Sequence, residues 1–281
     1  MITRTRNQPY IGVSGVVNPE QQMELVEYAD DALKNLGRKL ALGVKATHKS
    51  QYSLEGTKYG SEWFPVGDEI SGALDLRVGT WNILQTYLSP EELAKSQKYP
   101  QKFFKKLQKR TSSYSDAVQI DMLRYEADPE RYRHVVDAMA LTGLDIIIQC
   151  HGHAMESGPK RALESMKRLI GSHTVSYILF DASHGNGKQM DNTALMSFLQ
   201  QAYNDRDFLG RGTNFGIAGG LHGDNVAELL DDVLIDFPEV SWDAEGRLHN
   251  KLPSDGGNGR LDMGKTKSYL QASIDVLSHR L

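Results

Sequence analysis

Apolar residues along this chain fall into short runs separated by stretches with helical spacing. Tyr10-Ile11-Gly12-Val13-Ser14 is a compact apolar run that ends at Gly15. Asn18-Pro19-Glu20 and a periodic stretch from Met23 to Leu36 follow it. Asn18 as N-cap with Pro19 at the first helical position predicts a helix start, so the opening reads as strand, loop, helix. Lys39 to Val44, Ala117 to Ile120, Asp145 to Cys150, Val175 to Phe180, Asn214 to Ala218 and Pro238 to Trp242 repeat the strand pattern. Helical patterns from Pro129 to Ala140, Pro159 to Leu169, around Asn225 to Leu230 and from Lys265 to Leu277 alternate with them. A parallel pair of strands needs a crossover connection, so this alternation predicts parallel strands covered by helices.

Seven strands are legible in this way, and an eighth is expected between residues 49 and 110. Gln51 to Gly67 has no sustained period and reads as a long loop. Arg77 to Leu88, chiefly Ile83 to Leu88, is the expected third strand, and Glu91 to Gln108 the helix after it. Loops of this length in a compact domain are usually functional. With neither an internal repeat nor a linker, the expectation is one domain spanning residues 1–281, with an irregular insertion at about 49–110.

The 281 residues are 40% hydrophobic, enough to bury a sizeable core. A net charge of −4 without a basic stripe argues against nucleic acid as partner. Cys150 is the single cysteine, which excludes an intramolecular disulfide and a multi-thiolate zinc cluster. No stretch approaches the ~18 apolar residues of a spanning helix, and the polar start has no signal-like apolar region. A cytoplasmic protein with no membrane partner is expected, and the oligomeric state stays open.

Alternation alone does not separate a closed barrel from an open sheet. The glycine-bearing strand ends do. Ile217-Ala218-Gly219-Gly220-Leu221 ends a strand with two glycines just before a helix at Asp224 or Asn225. Such a turn lets backbone N–H groups approach an anion, and in (β/α)₈ barrels the loops after strands seven and eight are the usual phosphate site.

The order of these motifs resembles the phosphoribosylanthranilate isomerases. That family has an apolar first strand ending in Cys-Gly, a strand ending in Asp before a glycine-rich loop, Ala-Gly-Gly-Leu before an Asn-Val helix, and a final glycine loop followed by Gly-x-x-Asp. The counterparts here are Val13-Ser14-Gly15, then Leu179-Phe180-Asp181 before Gly185-Asn186-Gly187, then Ala218 to Leu221 with Asn225-Val226. Asp243-Ala244-Glu245-Gly246 and Gly259-Arg260-Leu261-Asp262 complete the series, and Val118-Gln119-Ile120-Asp121 stands where the family has Val-Gln-Leu-His. The likeness covers roughly residues 10 to 45 and 115 to 280.

What the resemblance implies is an α/β protein with a single (β/α)₈ barrel and a long insertion after strand two. The implied activity is the Amadori rearrangement of a phosphorylated aminoaldose to an aminoketose, a step of tryptophan biosynthesis, without metal or organic cofactor. Asp181 matches the family's general acid. Ser14 replaces its catalytic cysteine, and an aliphatic hydroxyl cannot act as a base without a partner that takes its proton. The phosphate is expected at backbone N–H groups around Gly219, Gly220 and Gly246, although Glu245 adds a negative charge beside it. Asp121 and His151 are expected to face the bound substrate.

The residues also leave alternatives open. If Gln149 faces the barrel mouth then His151 does too and Cys150 packs against helices; the opposite phase turns Cys150 inward. His151, His153, His184, Asp121 and Asp181 suggest a metal-dependent phosphosugar enzyme as one alternative. A non-catalytic phosphate-ligand-binding relative is the other. Lys45, His48 and Lys49 stand where the family usually has an arginine for the anthranilate carboxylate, and lysine lacks its bidentate fork. Arg211 and the basic cluster from Lys102 to Arg110 read as solvated surface.

Overall fold

A computed structural model of the chain describes residues 8–47, 50, 60, 62–74, 80–87, 115–121, 123–181, 191–251 and 258–280. Eight parallel strands close into a barrel in chain order: β1 (Tyr10–Ser14), β2 (Lys39–Thr47), β3 (Trp81–Tyr87), β4 (Ala117–Asp121), β5 (Asp145–His151), β6 (Tyr177–Asp181), β7 (Asn214–Ala218) and β8 (Ser241–Ala244). The pairing of β1 with β8, Ile11 opposite Trp242 and Gly12 opposite Asp243, closes the ring.

Helices form where the spacing and caps predict them. In α1 (Pro19–Asn35) the Asn18 side chain accepts from the Gln21 N–H at 2.9 Å, and Leu25, Ala29 and Leu33 bury one face. The remaining helices among the described residues are α2 (Asp68–Ala73), α3 (Pro129–Ala140), α4 (Gly152–Met155), α5 (Pro159–Ile170), α6 (Asn192–Asn204), α7 (Arg206–Gly210), α8 (Val226–Asp236) and α9 (Met263–Ser278). Outward strand residues such as Val13, Leu42, Ile148, Phe180 and Trp242 pack against them in a large apolar shell. No helix among the described residues is long and apolar enough to cross a membrane.

The eighth strand lies at Trp81–Tyr87, inside the expected stretch but starting two residues before Ile83. Helix α2 is not legible in the sequence, since six residues show no reliable period, and it follows the described part of the Gln51–Gly67 loop. The expected helix from Glu91 to Gln108, with the basic cluster beyond it, lies outside the described residues. The last strand is shifted: Ser241–Ala244 pairs into the barrel, whereas Pro238 and Glu239 belong to the turn before it. An antiparallel pair, β9 (His249–Lys251) and β10 (Asn258–Leu261), stands between β8 and α9. Arg211 is not simply solvated, because its guanidinium donates to the carbonyls of Gly171 and His173.

Inside the barrel, side chains from alternate positions form layers. The lower layer is aromatic. Tyr10, Trp81 and Tyr177 meet with ring centroids 5.0 to 5.2 Å apart, and Ala41, Ile83, Ala117, Ile147 and Leu179 complete the plug. Above it the interior turns polar, with Ser14, Lys45, Gln85, Gln119, Asp121 and Asp243 all buried.

Candidate active site

Strand alternation explains which residues reach the upper mouth. Tyr10, Gly12 and Ser14 share one face of β1; Gln119 and Asp121 share one face of β4; Asp243 stands beside Gly12 across the β1–β8 junction. Gly12 leaves room for that carboxylate: a Cβ there would come within 2.7 Å of Asp243 Oδ1. Ser14 and Asp243 are joined directly, the Ser14 hydroxyl lying 3.1 and 3.0 Å from the two carboxylate oxygens. Gln85 donates its amide N–H to the Ser14 oxygen, which directs the Ser14 proton toward Asp243.

The mouth is crowded with acids. Burial first, then repulsion from Glu245, pushes Asp243 up to about 8 against its bond from Ser14. The same two causes raise Asp121 to about 7, although Gln119, Tyr87 and Lys45 favour its ionised form. Glu245, the residue past β8, turns inward to form an ion pair with Lys45. Burial raises the Glu245 carboxyl, but Lys45 outweighs this and holds it below its ordinary value. Lys45 is itself fully buried, with its ammonium 4.2 Å above the Trp63 ring, and burial lowers its pKa despite Glu245. Glu245 therefore does not sit as a bare charge in the loop after β8.

Asp181, at the end of β6, is 8% exposed and accepts a hydrogen bond from the Gln149 amide at 2.8 Å. Gln149 thus faces the mouth, and Cys150 packs outward in the helix-facing shell. Burial raises the Cys150 thiol to about 12, so it is an inert apolar group. His151 does not follow Gln149 into the mouth. Its ring Nε2 lies 2.8 Å from the Leu123 carbonyl and 3.5 Å from Glu126, on the loop after β4, because the last strand residue is free to swing to the rim. His153 is half-exposed beside Glu156, 3.7 Å away. Among the described residues no three histidine, cysteine or acidic side chains are grouped to hold a metal ion, and His184, His48 and Lys49 lie outside them.

A second element of the site lies beyond the strand ends. A cavity of about 540 Å³ opens between the loops after β7 and β8 and the start of α9, lined by His222, Arg247, Lys251 and Lys265 with Gly246 and Gly264. Asp224 is the opposing charge on its wall. Gly219 and Gly220, both with positive φ (109° and 70°), shape the turn just before His222 and Gly223, which line the cavity together with Gly246. The Gly220 carbonyl accepts from Asn225, whose own oxygen takes the His222 N–H, so the turn is held rigid. Gly223 permits this loop to press on α9, since a Cβ there would lie 2.1 Å from Ser268 Oγ. The N-terminus of a sixteen-residue helix, two lysines and an arginine give this cavity a lining whose charge suits an anion.

His249 connects cavity and mouth. It lines the cavity, and its ring nitrogens lie 2.8 Å from the Gly259 carbonyl and 3.2 Å from that of Ser14. Burial and Lys45 lower its pKa to about 4, so the ring is neutral at pH 7.

Residues 128–242 match the family model described as N-(5'phosphoribosyl)anthranilate (PRA) isomerase. Over that segment the chain is related to the phosphoribosylanthranilate isomerases. No curated protein matches in sequence. Among solved structures, the chain is similar to the phosphoribosyl anthranilate isomerase of Thermococcus kodakaraensis, with 14% identity and TM-score 0.52 over 96% of this chain and 99% of that one. The N-(5'-phosphoribosyl)anthranilate isomerase of Pyrococcus furiosus is similar at 11% identity and TM-score 0.55, covering 95% and 99% of the two chains. A sugar phosphate isomerase/epimerase from Parabacteroides distasonis is similar at 11% identity and TM-score 0.51, covering 98% of each. At these identities the three structures speak for the barrel fold.

Asp243, Gln85, Tyr87 and His249 are residues of this mouth that the sequence reading misses, and Glu245, which it sets beside the phosphate, pairs with Lys45. Two signals point to most of them. Asp243 and Glu245 alternate at the end of a strand, and Gln85 and Tyr87 do the same on β3; polar residues at inward phase near a strand's C-terminal end mark a barrel mouth. Lys45 lies within β2 rather than beyond the second strand, where the sequence reading sets it, and its pairing with Glu245 passes over the end of β1 and has no local trace.

Proposed function

We propose that this barrel isomerises a phosphorylated aminoaldose to the corresponding aminoketose. Asp181 serves as general acid, and Asp243 serves as the base, acting through Ser14. The direct hydrogen bond between Ser14 and Asp243 carries this reading, because it supplies the proton acceptor that a lone serine lacks.

In the first step Asp181 protonates the furanose ring oxygen, and the C1–O bond breaks to leave an iminium between C1 and the substrate nitrogen. Asp243 then gains a proton through the Ser14 hydroxyl as that hydroxyl takes the proton from C2. The C2–H electron pair forms the C1–C2 double bond and neutralises the iminium nitrogen. The resulting enolamine takes a proton at C1 from Asp243 through Ser14 and gives its C2 hydroxyl proton to Asp181, leaving the ketone and restoring both carboxyls. The substrate's phosphate lies in the basic cavity near Gly246, and His249 supports the first strand's end between the two subsites. The raised Asp243 carboxyl suits this proton traffic, since a base near neutrality returns its proton readily.

The test is aldose-to-ketose conversion by the full chain, using phosphoribosylamines formed from ribose 5-phosphate and a panel of amines. Turnover that disappears in both Asp181→Asn and Asp243→Asn supports the assignment. Phosphosugar binding without turnover on any amine would make the chain a binding relative of the isomerases.

A further inference from the structure

The upper mouth holds three acceptor oxygens without a hydrogen-bond partner among the described residues: Gln85 Oε1, Gln119 Oε1 and Asp121 Oδ2. Their residues are at most 4% exposed and stand on the adjacent strands β3 and β4, where Gln85 is the register partner of Gln119. One N–H of each amide is already committed, Gln85's to Ser14 and Gln119's to Asp121, and both amide oxygens remain to accept. Repulsion from Glu245 already raises Asp121 and Asp243, so the mouth disfavours a further negative charge, and Lys45 is held by Glu245. A substrate carboxylate brings acceptors and a like charge into this surface. A group with N–H donors satisfies it.

We propose that the amine-derived half of the substrate bears N–H donor groups, neutral or cationic, and no carboxylate. This rests on the phosphosugar-isomerase reading above and names the substrate class of that site. Gln85, Gln119 and Asp121 are the specificity determinants: their oxygens receive the donors, and the surrounding acids reject an anthranilate-type acid.

The decisive comparison uses two stable, nearly isosteric ligands made by reductive amination of ribose 5-phosphate, one with 2-aminobenzamide and one with 2-aminobenzoate. Their affinities for the full-length protein are measured by calorimetric titration, with ribitol 5-phosphate as the reference for the phosphosugar part. At least tenfold tighter binding of the carboxamide is expected. Asp121→Asn should narrow the gap severalfold by improving carboxylate binding, and thermal unfolding of that variant checks its fold. Equal affinities, or tighter binding of the carboxylate, would overturn this proposal while leaving the phosphosugar site intact. If none of the three ligands binds, the phosphosugar reading falls and this proposal with it.

Discussion

The two ends of the barrel interior are made by the same strands at the same alternation, yet they obey different physics. At the lower end Tyr10, Trp81 and Tyr177 pack ring against ring, tilted or edge-on, and exclude water, and the layer is stabilised by the apolar area it removes from solvent. At the upper end Ser14, Gln85, Gln119, Asp121 and Asp243 are equally buried, but their carboxyls are raised and three acceptors lack partners among the described residues. Burial of that kind costs stability. The lesson is a division of labour, in which the plug supports a mouth whose strain is useful for chemistry and recognition.

The sharpest break is chemical. Replacing Asp243 or Asp181 by Asn should lower kcat by about 10²–10⁴ while the unfolding midpoint moves little or rises. A large fall in the midpoint instead would show that the mouth carries the fold as the plug does. The converse change, Trp81→Ala, removes a ring that touches both Tyr10 and Tyr177. Urea titration should show a loss of about 3–5 kcal/mol, and a loss under 1 kcal/mol would deny the plug its structural role.

The mouth should also reveal itself through pH. Asp243 binds its proton more tightly folded, near 8, than unfolded, so the folded chain holds the extra proton between about pH 4 and 8. This contribution to stability is full below the unfolded value and disappears as pH rises through the folded one, at up to about 1.4 kcal/mol per pH unit. His249, lowered to about 4, works the other way below its unfolded value. Denaturant titrations at pH 6.5 and 8 should therefore show Asp243→Asn losing less stability than the parent over that interval. A parallel pH dependence in the two proteins would mean Asp243 is already ionised in the fold.

The smallest effect belongs to the outer shell. Cys150→Ala should cost about 1 kcal/mol and leave kcat unchanged, and the parent thiol should resist labelling until the chain unfolds. Ready labelling of the native protein would put Cys150 back at the mouth.

Much of the barrel is legible in the sequence because its strands are buried on both sides and interrupted by capped helices, as Asn18-Pro19 and Pro129 illustrate. The phase of β5 is not, since Gln149, Cys150 and His151 each fit either face until a neighbouring strand chooses. Asp181 and Ser14 can be named from their strand-end positions and the family likeness. Asp243 cannot, because its meaning comes from Ser14, which lies 229 residues away along the chain.

By itself, then, the sequence determined the alternation, the caps, the glycine-marked strand ends and the polar character of the mouth, all of which are local properties of spacing and residue type. Tertiary structure alone decided that β8 closes on β1, that Lys45 meets Glu245 over the end of β1, and that His151 reaches the loop after β4. Those outcomes depend on which strands become neighbours and on the electrostatic balance among charges brought together from opposite ends of the chain, and local spacing carries no record of either.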